Sequence, residues 1–347
     1  MQIFPKILGS RPRLAVEVRT EGVVAARADD AAAILTAAAS SRLKNGALAI
    51  GLKAGNFVDR EHVVAALREA LDAVSGRAGD RSRATTIVVP DATARVFLLD
   101  FDALPPKPIE ALAVIRFRLK KLLPFDSDHA AVSYQVMASE KSMVRVLAVA
   151  MPHEVLNEYE QAVIAAGYIP GAVLPSTLAA LAGLDEQQPA VLVVNAGHGG
   201  ITTAIVRSGV LLLHRSIELA NDLSGIGDSD AMIPVAVGTS GYDRIDAEAA
   251  IEAQVLASAE AAMTGREMAQ AVSVAVAYFE DTLKSSPEVI LSAGTVGADA
   301  LRSILEENGF EGAHVREIVG PEALAAGAAT TQVSRGWIAG VRGALRN

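Results

Sequence analysis

The chain has 347 residues and a formal net charge of -9, with 51% apolar residues, only 4% aromatics and no cysteine. That length fits about two domains, each with a core of its own. Absent cysteine excludes disulfides, thiolate chemistry and Cys-held zinc, and the acidic balance, with a sequence pI ≈ 5.3, disfavours nucleic acid as a partner.

The N-terminus has too short an apolar core for a signal peptide, and a proline interrupts it. No apolar run reaches the roughly 18 to 20 residues that span a bilayer, so a cytoplasmic protein is expected. Leu14 to Val18 and Val23 to Arg27 read as a strand, a turn and a returning strand, with Ala47 to Leu52 as a third strand. The Ala-rich stretch Asp30 to Ser41 reads as a short helix or loop, because alanine favours helices. From Asp59 or Arg60 onward, Val63, Val64, Leu67, Leu71 and Val74 recur at helical spacing. A basic loop, 75–83, precedes strands at Thr85 to Val89 and Arg95 to Phe101.

Pro105, Pro106 and Pro108 mark a rigid connection. Ile109 to Leu123 reads as a helix bearing Arg116, Arg118, Lys120 and Lys121, either a solvated face or a partner-binding surface. Two strands follow, Ala131 to Met137 and Met143 to Ala150, then a helix opened by Pro152.

The most informative stretch is Val191 to Arg215. A buried-strand run leads into a turn with Gly197, Gly199 and Gly200, and two more strands follow. Glycine lets a backbone approach an anion closely and turn its N–H groups toward it. The N-terminal hairpin repeats this pattern more faintly, so the chain reads as two halves of one duplicated architecture.

Residues 221–241 read as loop. Two long helices are expected, Asp246 to Met263 and Arg266 to Ser285, separated at Thr264 and Gly265. Then come a strand at Val289 to Leu291, a turn at Ser292 to Thr295, a helix at Ala298 to Asn308, a strand at His314 to Val319 and a last helix at Pro321 to Thr331. This is an α/β pattern, and ligands of such sheets bind beyond the carboxyl ends of the strands. In the tail, Trp337, Val341 and Leu345 share one helical stripe, with Arg335, Arg342 and Arg346 interleaved. It reads as a solvated end or as a helix lying on an anionic membrane surface.

Catalytic signatures are missing. The six histidines have no metal spacing, and neither G-x-S-x-G nor H-E-x-x-H occurs. Asp228 and Asp230 are half of a cation loop or an acidic surface loop.

Four features together resemble the actin-like ATPase superfamily, and within it the PilM type IV pilus assembly proteins and their cell-division relative FtsA. They are the duplicated strand–turn–hairpin, the insert with Lys120-Lys121-Leu122-Leu123-Pro124-Phe125, the long helix leading to Val289-Ile290-Leu291-Ser292-Ala293-Gly294, and Gly320 to Ala329. The resemblance implies an actin-like two-lobed α/β fold with duplicated sheet–helix domains and a small FtsA/PilM-like inserted subdomain. The implied spans are 1–104 for the first lobe, 105–168 for the insert, 169–331 for the second lobe (with 221–265 reduced or irregular), and 332–347 for a basic tail.

It also implies ATP and Mg²⁺ between the lobes, held by two phosphate loops and an adenosine motif. Glu17 keeps the first loop's acid, but Arg19 stands where a glycine is expected. In the second loop Asn195 replaces aspartate, Gly197 is kept, and His198, Gly199, Gly200 and Thr202 follow. Ala293 replaces one adenosine-motif glycine and Gly294 keeps the other. A neutral amide is a poorer partner for Mg²⁺ than a carboxylate, so these departures imply weak or absent nucleotide binding and little hydrolysis. The resemblance further implies a scaffold at the inner membrane that grips the tail of a PilN-like membrane protein. The groove is expected near Ile109 to Phe125, with Arg116, Lys120, Lys121 and Phe125 as candidates. A working ATPase or kinase and an FtsA-like tethered filament protein are the alternatives.

Overall fold

The computed structural model describes residues 12–75, 83–140, 142–185, 189–219, 243–330 and 333–346. The elements of the first part are β1 (Leu14–Arg19), β2 (Gly22–Ala28), β3 (Leu35–Arg42), α1 (Arg60–Val74), β4 (Ala84–Val89), β5 (Arg95–Phe101), α2 (Pro108–Leu119), β6 (Ala130–Glu140), β7 (Met143–Pro152), α3 (His153–Ala165), β8 (Ile169–Pro175) and α4 (Ser176–Ala182). The second part holds β9 (Val191–Gly197), β10 (Gly200–Arg207), β11 (Val210–Glu218), α5 (Asp243–Leu283), β12 (Ile290–Gly294), α6 (Ala298–Glu307), β13 (Val315–Glu317), β14 (Leu324–Thr330) and α7 (Ala339–Leu345).

Two sheets share one plan. The first runs β14-β3-β2-β1-β4-β8 and the second β11-β10-β9-β12-β13. Each has an antiparallel meander whose first strand pairs in parallel with a later one, β1 with β4 and β9 with β12. Among the described residues the expected duplication is therefore present over five strands of each sheet, with β14 added to the first alone. Strand alternation sends Leu14, Val16 and Val18 toward α1 and α3, and Ala15 toward α7. The second sheet buries one face under α5 and α6. Its other face meets Leu178 and Leu181 of α4 and the sheet β5-β7-β6.

Several expectations are corrected by the pairing. Residues 35–42 form a strand, not a short helix or loop, and 47–52 do not add a third one. The alanines of β3 lie against its neighbours β2 and β14, where small side chains let helices approach the sheet closely. Tertiary packing has overridden helix propensity. Residues 324–330 become β14 for the same reason. Thr264 and Gly265 do not interrupt α5, because one glycine weakens a helix by only about 1 kcal/mol and the Met268, Val272, Ala275 and Phe279 face is buried. The helix expected over 246–263 is thus continuous with the one that follows it. The basic loop at 76–82 and the loop with Asp228 and Asp230 lie outside the described residues.

Sheet membership also redraws the lobes. β5 belongs to the three-stranded sheet of the insert rather than to the first lobe. α3 packs its Val155, Tyr159 and Val163 into the first lobe's core, and β8 and β14 join the first sheet.

The tail is neither solvated nor free to lie on a membrane. Val341 and Leu345 are buried, and Trp337 packs beside them against the first sheet. The glycines that weaken α7 as a helix are its contact points. A Cβ at Gly340 would stand 2.5 Å from Glu17 Oε2, and one at Gly343 would overlap the Ala179 carbonyl. Arg346 donates to Gly183 O at 2.6 Å and to Asp185. It thereby meets the carboxyl end of α4, where cations are favoured. Gly343→Ala is expected to lower stability by about 1–3 kcal/mol through overpacking, measured as a fall in the urea midpoint without a change in slope.

Candidate functional site

The strands β1, β4 and β8 run parallel and end together. Their carboxyl ends deliver Arg19, Asp91 and Ser176, and β9 and β12 of the second lobe deliver Asn195 and Thr295 from across the cleft. Two of these positions share a local cause. A proline follows the buried strand β4 at Pro90 and ends the edge strand β8 at Pro175, and the next residue is polar. Proline stops the strand, and the following side chain is left at the sheet's end.

A chain of hydrogen bonds links them. Arg19 Nε donates to Glu17 Oε1 at 2.7 Å. Arg19 Nη2 donates to Ser176 Oγ at 2.7 Å and, across the cleft, to Asn195 Oδ1 at 2.8 Å. Ser176 donates to Glu17 at 2.6 Å. Asn195 Nδ2 donates to Ser176 Oγ at 2.9 Å and Thr177 Oγ1 at 2.8 Å. Asp91 accepts from the Thr177 hydroxyl and amide.

A second bridge lies one turn away. Glu21 accepts from the Thr295 hydroxyl and, at 2.9 Å, from the His198 amide, both in the other lobe.

Electrostatics follow from burial and pairing. Burial pushes the Glu17 carboxyl up against the pull of Arg19 and Ser176. Its Oε2 has no partner and faces the bare Gly340. Burial pulls the Arg19 guanidinium down, but Glu17, Glu21 and Asp91 more than compensate. For Glu21, burial is outweighed by the Arg19 charge and the bonds from Thr295 and His198, which hold it below its usual range.

Beside this network is a cavity of ≈ 350 Å³ between the lobes. Arg19, Asn195, Gly197, Gly199, Gly200 and Thr202 line it, so six of the nine sequence-derived nucleotide candidates converge there. The other three do not. Glu17 lies beneath Arg19 and is fully buried. Ala293 is buried under the tail, and the Gly294 amide donates to Gly336 O at 2.9 Å. Gly294, at φ 91°, has no room for a side chain. Sequence reasoning missed Glu21, Asp91, Ser176, Thr177 and Thr295. The strand–proline–polar pattern was the available signal for Asp91 and Ser176. Nothing local marks Thr295.

The partner candidates sit in the insert. Arg116 donates to the carbonyls of Ser127 at 2.7 Å and Ala130 at 3.1 Å, and Phe125 packs on the core under α2. Lys120 pairs with Asp128 at 2.9 Å on the surface, and Lys121 is exposed. None of the four lines a second cavity of ≈ 230 Å³ between the insert and the first lobe, which is walled by Val132, Val149, Met151, Leu156 and Val173.

No family model matches the sequence, and no curated protein matches it. Solved structures do. A PilM-PilN type IV pilus biogenesis complex is 18% identical over 97% of this chain and 97% of its own, with a TM-score of 0.66. An ethanolamine utilization protein EutJ from Carboxydothermus hydrogenoformans is 14% identical over 96% of this chain and 89% of its own, at 0.49. A Bacteroides thetaiotaomicron protein with actin-like ATPase fold is 10% identical over 94% and 95%, at 0.41. The chain has the two-lobed actin-like fold, and it is similar in architecture to PilM.

Arg19→Ala leaves the buried Glu17 carboxylate without its counter-charge. The expected loss is about 3–5 kcal/mol at neutral pH. Adding Glu17→Gln removes the stranded charge and recovers part of that loss, and urea unfolding of both variants checks it.

Proposed function

We propose that the chain is a cytoplasmic scaffold of a type IV pilus or related envelope machine. It grips the cytoplasmic tail of a PilN-like, single-span membrane protein, and its interlobe cleft is a degenerate nucleotide site. The observation that carries the reading is the ≈ 230 Å³ groove between the insert and the first lobe. Two strands that border it, β6 and β8, are each the last strand of their own sheet. An extended segment pairs with such an edge through its main chain and seats alternate side chains in apolar pockets. Glu160 is the one charged side chain in a lining that is otherwise apolar except for Ser133. Tails at the cytoplasmic face of a membrane are rich in Lys and Arg, and they complement both this carboxylate and the chain's charge of -9.

The cleft supports the second half of the reading. Mg²⁺ requires free oxygen ligands in near-octahedral array. The Asn195 oxygen is taken by Arg19, and its amide nitrogen is committed to Ser176 and Thr177. A metal ion there would also face the fixed charge of Arg19. These side chains do not fit the metal, and no hydrolytic step is derived from them.

Calorimetry with the tail peptide of the adjacently encoded single-span protein should give saturable binding. Ala131→Arg, which fills the groove, should weaken it at least about tenfold, or 1.4 kcal/mol, at unchanged thermal midpoint. Flat titrations with folded protein would sink the scaffold reading.

Mg·ATP in excess should leave the melting temperature unmoved. A ligand held at about 100 times its Kd would add about 2.7 kcal/mol, so a saturable upward shift would show the cleft to be a working site.

A further inference from the structure

Helix α2 is apolar on two opposite sides. At 3.6 residues per turn, Ala111, Ile115 and Leu119 form one row, buried on the three-stranded sheet. Ile109, Ala113 and Phe117 form the row facing away. Ile109 is 83% exposed and Phe117 70%, with Val114 and Leu122 exposed beside them. A helix that is apolar all round is ordinarily covered all round. Patches like this one mark contact with a partner or a membrane.

The charges around the row name the partner. Lys107, Arg116, Arg118, Lys120 and Lys121 stand against Glu110 alone between 107 and 121, in a chain whose total charge is -9. Arg116 is committed to backbone carbonyls, and Lys107 and Lys120 have exposed pairings with Glu110 and Asp128. Among the described residues, the side chains of Arg118 and Lys121 make no hydrogen bond or ion pair. An apolar crest flanked by unpaired, long-stemmed cations suits the headgroup boundary of a bilayer, where the stems reach up to phosphate.

We propose that the outer row of α2 is a docking surface for an anionic lipid bilayer. Ile109, Phe117 and Leu122 enter below the headgroups, while Arg118, Lys120 and Lys121 meet the lipid phosphates. The face lines neither of the two cavities described above. A bilayer accepts protruding side chains without a preformed pocket, whereas an acidic polypeptide would need one. The negative charge elsewhere repels such a membrane, so the contact also fixes the orientation of the molecule. The proposal stands whether or not the groove takes a tail.

The test is flotation of the full chain with vesicles of phosphatidylcholine alone and of phosphatidylcholine with phosphatidylglycerol. Wild type should float with the anionic vesicles, less so as salt rises, and not with the neutral ones. Ile109→Ser/Phe117→Ser should lower the bound fraction about tenfold or more, and Arg118→Glu/Lys121→Glu should abolish lipid selectivity. Because these side chains are exposed, both variants should keep the wild-type melting temperature. Failure of wild type to float, or equal flotation of both variants, would overturn the proposal. So would α2-dependent capture of an acidic polypeptide by protein that ignores vesicles.

Discussion

Arg19 sits where two lobes of the same chain face each other, and its guanidinium is shared between them. One nitrogen is held by Glu17 on its own strand, and another reaches both Ser176 and the Asn195 amide oxygen across the cleft. The planar fork of arginine is suited to this, since several donors leave one rigid group in fixed directions. The cation is tethered, so it needs neither metal nor ligand to be present. Everything around it is arranged to keep it charged: three carboxylates, a hydroxyl and an amide, at the ends of strands from both sheets. Breaking this point strands a buried carboxylate without its counter-charge rather than merely loosening a surface pair, which is why the network constrains the relation of the lobes.

The sequence made the duplication legible because buried strands of valine and leucine around glycine turns are a strong local signal. The loops that meet in the cleft were legible for the same reason. What was hidden depended on distant partners. β3 and β14 are rich in alanine and read as helix or loop and as helix, respectively, and only the strands beside them make them strands. Trp337, Val341 and Leu345 carry an amphipathic stripe whichever surface covers it. Periodicity reports that a face is apolar and says nothing about whether lipid or a neighbouring sheet lies against it. Asp91, Ser176 and Thr295 were overlooked because each is an ordinary polar residue after a strand, and their convergence is a property of topology.

The insert illustrates how one small unit serves several surfaces. Its sheet is apolar on both faces, with Val96 and Leu98 directed to the second lobe and Leu99 to α2. That double burial anchors it at the junction of the lobes. It leaves the edge strand β6 beside a groove, and the far side of α2 open.

The placement of β14 and α7 bears on how the chain is made. The first sheet is laid down early except for its last strand, and the helix covering Ala15 and Glu17 emerges later still. On the ribosome, the N-terminal lobe must therefore wait, with one apolar face uncovered, until β14 and α7 have been synthesised. Domains that close on themselves fold as they appear. This one is completed by α7, which follows the second lobe in sequence, so a nascent chain stalled within the second lobe leaves the Ala15 face of the first sheet uncovered.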